Sequence, residues 1–291
     1  MTNQNKNQPN HNLKPKLAYE NHRFLRSADA RTLRIASEYL EPLSRLRRAG
    51  VQNTVVFFGS ARIPSHENAL RQLQELTKKR REKGDTAVSR AALQAARRAL
   101  EMSRYYEEAR ELARLVTEWS LTFGNGPHFL VVCSGGGPGI MEAANRGARE
   151  AGGKTIGLNI TLPREQFVNP YVSPELCFLF RYFFMRKLWF AYPARALMVF
   201  PGGFGTLDEM WEFLTLIQTH KISHRVTTLL YGSKYWKKAV NFNWFVESGT
   251  VDKDDLKQFR FVDSPQEAFS LLKENLSRDR MFRAPQRLPF V

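Results

Sequence analysis

Phe129-Leu-Val-Val-Cys133, followed at once by Ser134-Gly-Gly-Gly137 and then Pro138-Gly-Ile-Met-Glu142, is the stretch whose reading decides the fold. The first five residues are an unbroken apolar run, the signature of a strand covered on both faces. The glycines make a turn, and the residues after them open a helix. The same grammar recurs. Thr54-Val-Val-Phe-Phe58 runs into Gly59-Ser60, and Ala196-Leu-Met-Val-Phe200 runs into Pro201-Gly-Gly203. Thr155-Ile-Gly-Leu158 is a further strand, as is Val226–Tyr231 before Gly232. Helical stretches alternate with these strands at about 138–151, 182–191, 205–218, 234–247 and 264–277. Such alternation predicts an α/β fold: a doubly wound, Rossmann-like parallel sheet with helices on both faces. Ligands of such sheets bind outside the carboxyl ends of the strands, where the glycine turns fall.

Working outward, residues 51–277 read as one nucleotide-binding domain. Residues 1–17 form a basic tail, 18–50 an N-terminal helical extension with a helix at about 29–48, and 278–291 a second basic tail. About 70 residues separate the first strand from the second, where one crossover helix suffices. The excess at about 65–104 is read as a helical insertion, and Ala87–Val116 as one long helix with apolar positions Leu93, Ala96, Leu100, Ala109, Leu112 and Val116. An Ala-rich stripe of this kind would be exposed without a partner, which favours an interface and a homodimer or larger homo-oligomer.

The chain has 291 residues, 43% apolar and 12% aromatic, a globular composition. No apolar run reaches membrane-spanning length, and residues 1–17 lack the apolar segment of a signal peptide. Cys133 and Cys177 are the only cysteines, too few to staple a fold of this size, and no Cys/His cluster has metal spacing. The reading is a cytoplasmic protein without a metal or cofactor. A net charge of +16 raises nucleic acid as a partner. Residues 105–277, however, carry 19 basic against 18 acidic side chains, so the excess lies in the appendages and reads as solubility. Aromatics for base stacking are absent from the two tails apart from Phe282 and Phe290.

Two glycine turns open helices directly after strands: Ser134-Gly-Gly-Gly-Pro-Gly-Ile-Met-Glu142 and Pro201-Gly-Gly-Phe-Gly-Thr-Leu-Asp-Glu209. The helix mouth presents unpaired N–H groups and a partial positive charge, which suits a phosphate. No Gly-Lys-Ser/Thr follows, so triphosphate chemistry is not expected, and no GxGxxG opens the helix after the first strand. Thr206-Leu-Asp-Glu209 also reads as a capping box, which would make Glu209 structural.

Pro201–Glu209, taken with Phe184-Met-Arg-Lys187, resembles the paired signature of the LONELY GUY family. Ser134–Ala148, Gly157-Leu-Asn-Ile-Thr-Leu-Pro163 and Asn169-Pro-Tyr171 are similar to its longer bacterial branch. The resemblance covers roughly 51–64 and 105–277. It implies hydrolysis of nucleoside 5′-monophosphates, AMP or N6-modified AMP as in cytokinin activation, to free base and ribose 5-phosphate. The label lysine decarboxylase attached to such sequences has no support here, since no pyridoxal phosphate motif is present. By the resemblance, Arg186 and Glu209 are the essential catalytic pair, with Lys187 beside the former. Gly202, Gly203, Gly205 and Thr206 hold the phosphate, and Gly59, Ser60, Gly136 and Gly137 line the nucleotide site. A carboxylate can stabilise the positive charge of a breaking ribosyl bond or activate water, and an arginine can clasp phosphate or ribose hydroxyls and orient that carboxylate. Three features depart from the pattern: the 65–104 insertion, the basic N-terminal extension, and His220 where relatives usually have glycine; Cys133, at a strand end, reads as a small buried cysteine. The rival reading is a carrier of a nucleotide or cofactor on the same fold, which keeps the glycine turns without needing both Arg186 and Glu209.

Overall fold

The computed structural model describes residues 15–123, 129–161, 167–222 and 224–278. Leu162 and Pro163, at the end of one family-like motif, lie outside them, as do most of the two basic tails. The chain divides into two units, Met1–Glu41 and Pro42–Val291. In the first, α1 (His22–Leu25) is followed by the start of α2 (Arg31–Arg48), and the Arg34 guanidinium donates to the carbonyls of Leu25 and Ser27.

The second unit holds a seven-stranded, wholly parallel sheet. Along the chain come β1 (Asn53–Phe58), α3 (His66–Lys83), α4 (Ala87–Met102), α5 (Arg104–Leu121), β2 (Leu130–Ser134), α6 (Ile140–Glu150), β3 (Thr155–Ile160), β4 (Cys177–Phe180), α7 (Phe183–Ala191), β5 (Ala194–Val199) and α8 (Phe204–Gln218). Then follow β6 (Thr227–Tyr231), α9 (Ser233–Ala239), α10 (Phe242–Glu247), β7 (Phe259–Val262) and α11 (Pro265–Arg278). Spatial order is β4-β3-β2-β1-β5-β6-β7, with Val56 of β1 set between Cys133 and Leu197. Winding reverses between β1 and β5, and a doubly wound sheet opens its binding crevice at that switch point.

Successive residues of β1 serve opposite layers. Phe57 joins the core formed with α5, α6 and α11, including Tyr106, Leu112, Ile140, Ala144 and Leu272. Phe58 faces the other way, edge-on to Phe190 of α7 at 4.8 Å and Phe213 of α8 at 6.1 Å. Burial on both faces is why β1, β2, β3, β5 and β6 read as unbroken apolar runs. The edge strands β4 and β7 have partly exposed residues, Leu179 and Arg260 among them, and escaped that reading. Where α5 crosses α6, a Cβ on Gly147 would come 1.9 Å from the Arg110 carbonyl oxygen, so only glycine permits the approach.

Three expectations need correction. The long helix over 87–116 is two helices parted at Ser103, whose buried hydroxyl donates back to the Leu100 carbonyl at 2.7 Å, a bond that bends helices. The insertion holds a further helix, α3, folded against α4 as a hairpin. The apolar stripe is largely consumed inside the chain: Leu93, Ala96, Ala109, Leu112 and Val116 are buried and Leu100 is partly buried, so the stripe no longer argues for an interface. The helix expected over 234–247 is likewise two, α9 and α10. No helix among the described residues is long and apolar enough to cross a membrane.

Candidate functional site

A cleft of about 270 Å³ lies at the switch point, against the carboxyl ends of β1, β2 and β5. Its wall is formed by Phe58, Gly59, Ser60, Ala61 and Arg62 after β1, Gly135 and Met141 after β2, Phe183 and Arg186 on α7, and Gly203, Gly205, Thr206, Asp208 and Glu209 at the start of α8.

Arg186 is fixed from three sides. Its Nε donates to the Leu158 carbonyl of β3 at 2.8 Å, its guanidinium lies 4.9 Å from the Phe190 ring centre, and its Nη1 donates to Glu209 Oε1 at 3.1 Å. A Cβ at position 135 would stand 2.7 Å from Arg186 Nη2, so Gly135 makes room for the guanidinium. Both partners are out of solvent, with side chains 13% and 7% exposed. Glu209 Oε2 is buried and accepts no hydrogen bond from the described residues. Burial pushes the Glu209 carboxyl up to about 7, against the pull of Arg186 and Lys187. Desolvation therefore outweighs the ion pair, the usual balance for a buried pair. Burial also lowers Arg186, opposed by the charge of Glu209.

The capping box expected at Thr206–Glu209 is absent. Helix α8 starts at Phe204 with Gly203 as its N-cap, so Thr206 already lies inside it, and no side chain caps its first amides. Glu209 spends its one bonded oxygen on Arg186 instead. The two glycine turns also differ. At α6 the Ile140 N–H donates to the Ser60 carbonyl at 3.2 Å, and Gly139, at φ 71°, sits so close that a Cβ would be 2.4 Å from that oxygen. The first amide of α6 is thus taken by the loop after β1, while the start of α8 has no such partner and borders the cleft.

Of the residues singled out from the sequence, Gly59, Ser60, Arg186, Gly203, Gly205, Thr206 and Glu209 converge on the cleft. Gly136, Gly137, Gly202 and Lys187 are not in its lining. The carbonyls of Gly136 and Gly137 accept from the backbone and side-chain amides of Asn169. Asn169 also donates to Asn145, which in turn bonds Thr155 and the Ile156 carbonyl, and Ser134 donates to Asn145. Asn145 and Asn169 thus knit the loops together from behind. Lys187 pairs with Asp208 at 2.9 Å and Glu212 at 3.1 Å on the flank of α8. Sequence reading missed Gly135, Arg62, Met141, Phe183 and Asp208. Asp208 adjoins Glu209, and Gly135 was within the quoted turn, so position alone could have drawn them in. Cys133 is buried, and burial pushes its thiol up, so it stays protonated behind the site. His220 lies at the far end of α8, exposed.

Residues 141–272 match the family model described as "Possible lysine decarboxylase", a span that contains Arg186 and Glu209. No curated protein matches the chain. Among solved structures, a structural genomics target designated TM1055 is 19% identical, covering 76% of this chain and 99% of its own, with a TM-score of 0.45. The Moco carrier protein from Chlamydomonas reinhardtii is 20% identical over 78% of this chain and 99% of its own, with a TM-score of 0.44. The molybdenum cofactor binding protein from the phototrophic bacterium Rippkaea orientalis is 22% identical over 59% and 88%, with a TM-score of 0.41. Likeness at that distance says nothing about what the cleft holds.

Proposed function

We propose that this cleft, part of which lies in the 141–272 span matched by the family model, hydrolyses the N-glycosidic bond of nucleoside 5′-monophosphates, AMP or an N6-modified AMP, to free base and ribose 5-phosphate, as the resemblance to the LONELY GUY family implies. One observation carries the proposal: a buried Arg186–Glu209 pair and the uncapped first turn of α8 line one cleft. A phosphate at Gly203, Gly205 and Thr206 meets backbone N–H groups and the positive end of the helix. That grip sets the sugar against Glu209. As the C1′–N9 bond breaks, its electron pair leaves with the base and positive charge grows on the ribose ring. The Glu209 carboxylate, with Oε2 free to accept, stabilises this charge or takes a proton from the water that bonds to C1′. The proton taken by Glu209 passes to the departing base, and the water's other hydrogen stays on the new C1′ hydroxyl. Arg186 holds Glu209 Oε1 and so leaves Oε2 as the unbonded acceptor. With the Glu209 carboxyl near 7, ionised and protonated forms coexist at neutral pH, as proton transfer in either direction requires.

The purified protein, incubated with AMP, should release adenine and ribose 5-phosphate by chromatography, and Glu209→Gln should fold, bind AMP and release neither. Wild-type protein that binds AMP but frees no base under these conditions would be a nucleotide carrier, and the hydrolytic reading would be wrong.

A further inference from the structure

The carbonyls of the β5–α8 turn are tied down by neighbouring elements, two of them from outside the cleft. The Val199 oxygen accepts from the Trp236 indole N–H at 3.1 Å, the Pro201 oxygen from the Ser60 N–H at 3.0 Å, and the Gly202 oxygen from the Tyr235 hydroxyl at 2.8 Å. Tyr235 and Trp236 are neighbours on α9, which has no residue in the cleft wall. That short helix is itself anchored. Gly232 caps it in the left-handed conformation at φ 88°, the Ser233 N–H and hydroxyl both bond Asp263, and Trp236 is fully buried and donates also to the Tyr231 carbonyl. In a trans peptide the C=O and N–H point in opposite directions. Holding the Gly202 carbonyl toward α9 therefore turns the Gly203 N–H the other way, toward the cleft that Gly203 lines. Position 203 is glycine, and nothing lies within 4 Å of where its Cβ would be, so packing on Gly203 does not set this orientation. Partial burial raises the Tyr235 hydroxyl above its ordinary value, which keeps it a donor.

We propose that Tyr235 is a positioning residue of the phosphate grip: its hydroxyl fixes the 202–203 peptide so that the Gly203 amide and the first turn of α8 face the substrate phosphate. The inference rests on the functional reading above, and goes further by assigning the grip's geometry to a residue that never touches the ligand.

Tyr235→Phe removes the donor and keeps the ring. By calorimetry, the variant should bind ribose 5-phosphate roughly tenfold more weakly than wild type, the loss expected for one well-placed hydrogen bond. KM for AMP should rise by a similar factor while kcat changes less, and adenine binding and the thermal midpoint should stay near wild type. Amide exchange over Gly202–Thr206 should quicken in the variant without ligand. Equal affinities for ribose 5-phosphate overturn the proposal, and so does wild type with no measurable affinity for it. A joint fall of adenine binding and thermal midpoint also overturns it, because Tyr235 would then merely hold the fold. Wild type that binds ribose 5-phosphate but releases no adenine from AMP refutes hydrolysis alone, and the affinity ratio still decides the role of Tyr235.

Discussion

Consider Glu209→Gln as a probe of stability rather than of rate. The carboxyl moves from the ordinary 4.5 to about 7 on folding, because burial costs the charged form more than Arg186 returns to it. A folded-state value above the unfolded one means the native protein holds the proton more tightly. The associated stability is fully present below pH 4.5 and is lost as pH climbs through 7. At about 1.4 kcal/mol per tenfold change in proton affinity, the loss is about 3 kcal/mol and is complete near pH 8. Glutamine keeps the shape and cannot titrate. Urea unfolding of both proteins from about pH 4.5 to 9 therefore isolates this one group, since every other titration is shared and any fixed cost of the substitution cancels. The difference in unfolding free energy, wild type minus variant, should fall by about 3 kcal/mol across that range. In thermal scans this is roughly 6–12 °C of relative midpoint for a domain of this size. A difference that stays flat, or that grows in favour of wild type as pH rises, refutes the reasoning. A flat difference would show that the ion pair cancels desolvation, and a growing one that it outweighs desolvation and holds the carboxylate ionised.

Two further substitutions test the packing that carries the site. His220 is the one non-glycine residue with positive φ among those described, at 55°, and its N–H and that of Lys221 close the end of α8 onto the Ile217 and Leu216 carbonyls. His220→Gly should raise stability by about 0.5–1 kcal/mol in urea unfolding, since this helix-ending conformation is strained for a side chain. Gly147→Ala should cost about 3 kcal/mol or more, because the new methyl would overlap the Arg110 carbonyl and push α5 off α6. A loss below about 1 kcal/mol by calorimetry would show that the two helices can part freely.

Most of the sheet was legible because strands covered on both faces leave a continuous apolar trace. Cys177–Phe180 and Phe259–Val262 left none, being short edge strands with one side toward solvent. The break at Ser103 was hidden because serine ends or bends a helix only where its hydroxyl finds a backbone carbonyl, here Leu100. At the site, Arg186 and Glu209 could be named from their motifs, and their mutual contact could not, since it depends on how α7, packed on β3, and α8, packed on β1, are placed by the sheet. The local pattern Thr-x-x-Glu pointed Glu209 at its own backbone. The register of α8, begun one residue after Gly203, put Thr206 past the capping position and freed the carboxylate for the cleft. Tyr235 carried no signal at all, because its partner is a main-chain oxygen 33 residues away.

The occupied first amide of α6 bears on what can be told apart from what. A dinucleotide needs berths for two linked phosphates, and this sheet offers a pair of glycine-led helices that could have supplied them. The Ser60 carbonyl takes the first amide of one of the two, which leaves the α8 mouth as the one with no such backbone partner at its entrance. On the function proposed above, a lone terminal phosphate should therefore bind this cleft in preference to a bridging pyrophosphate, an outcome that competition between AMP and a dinucleotide would check.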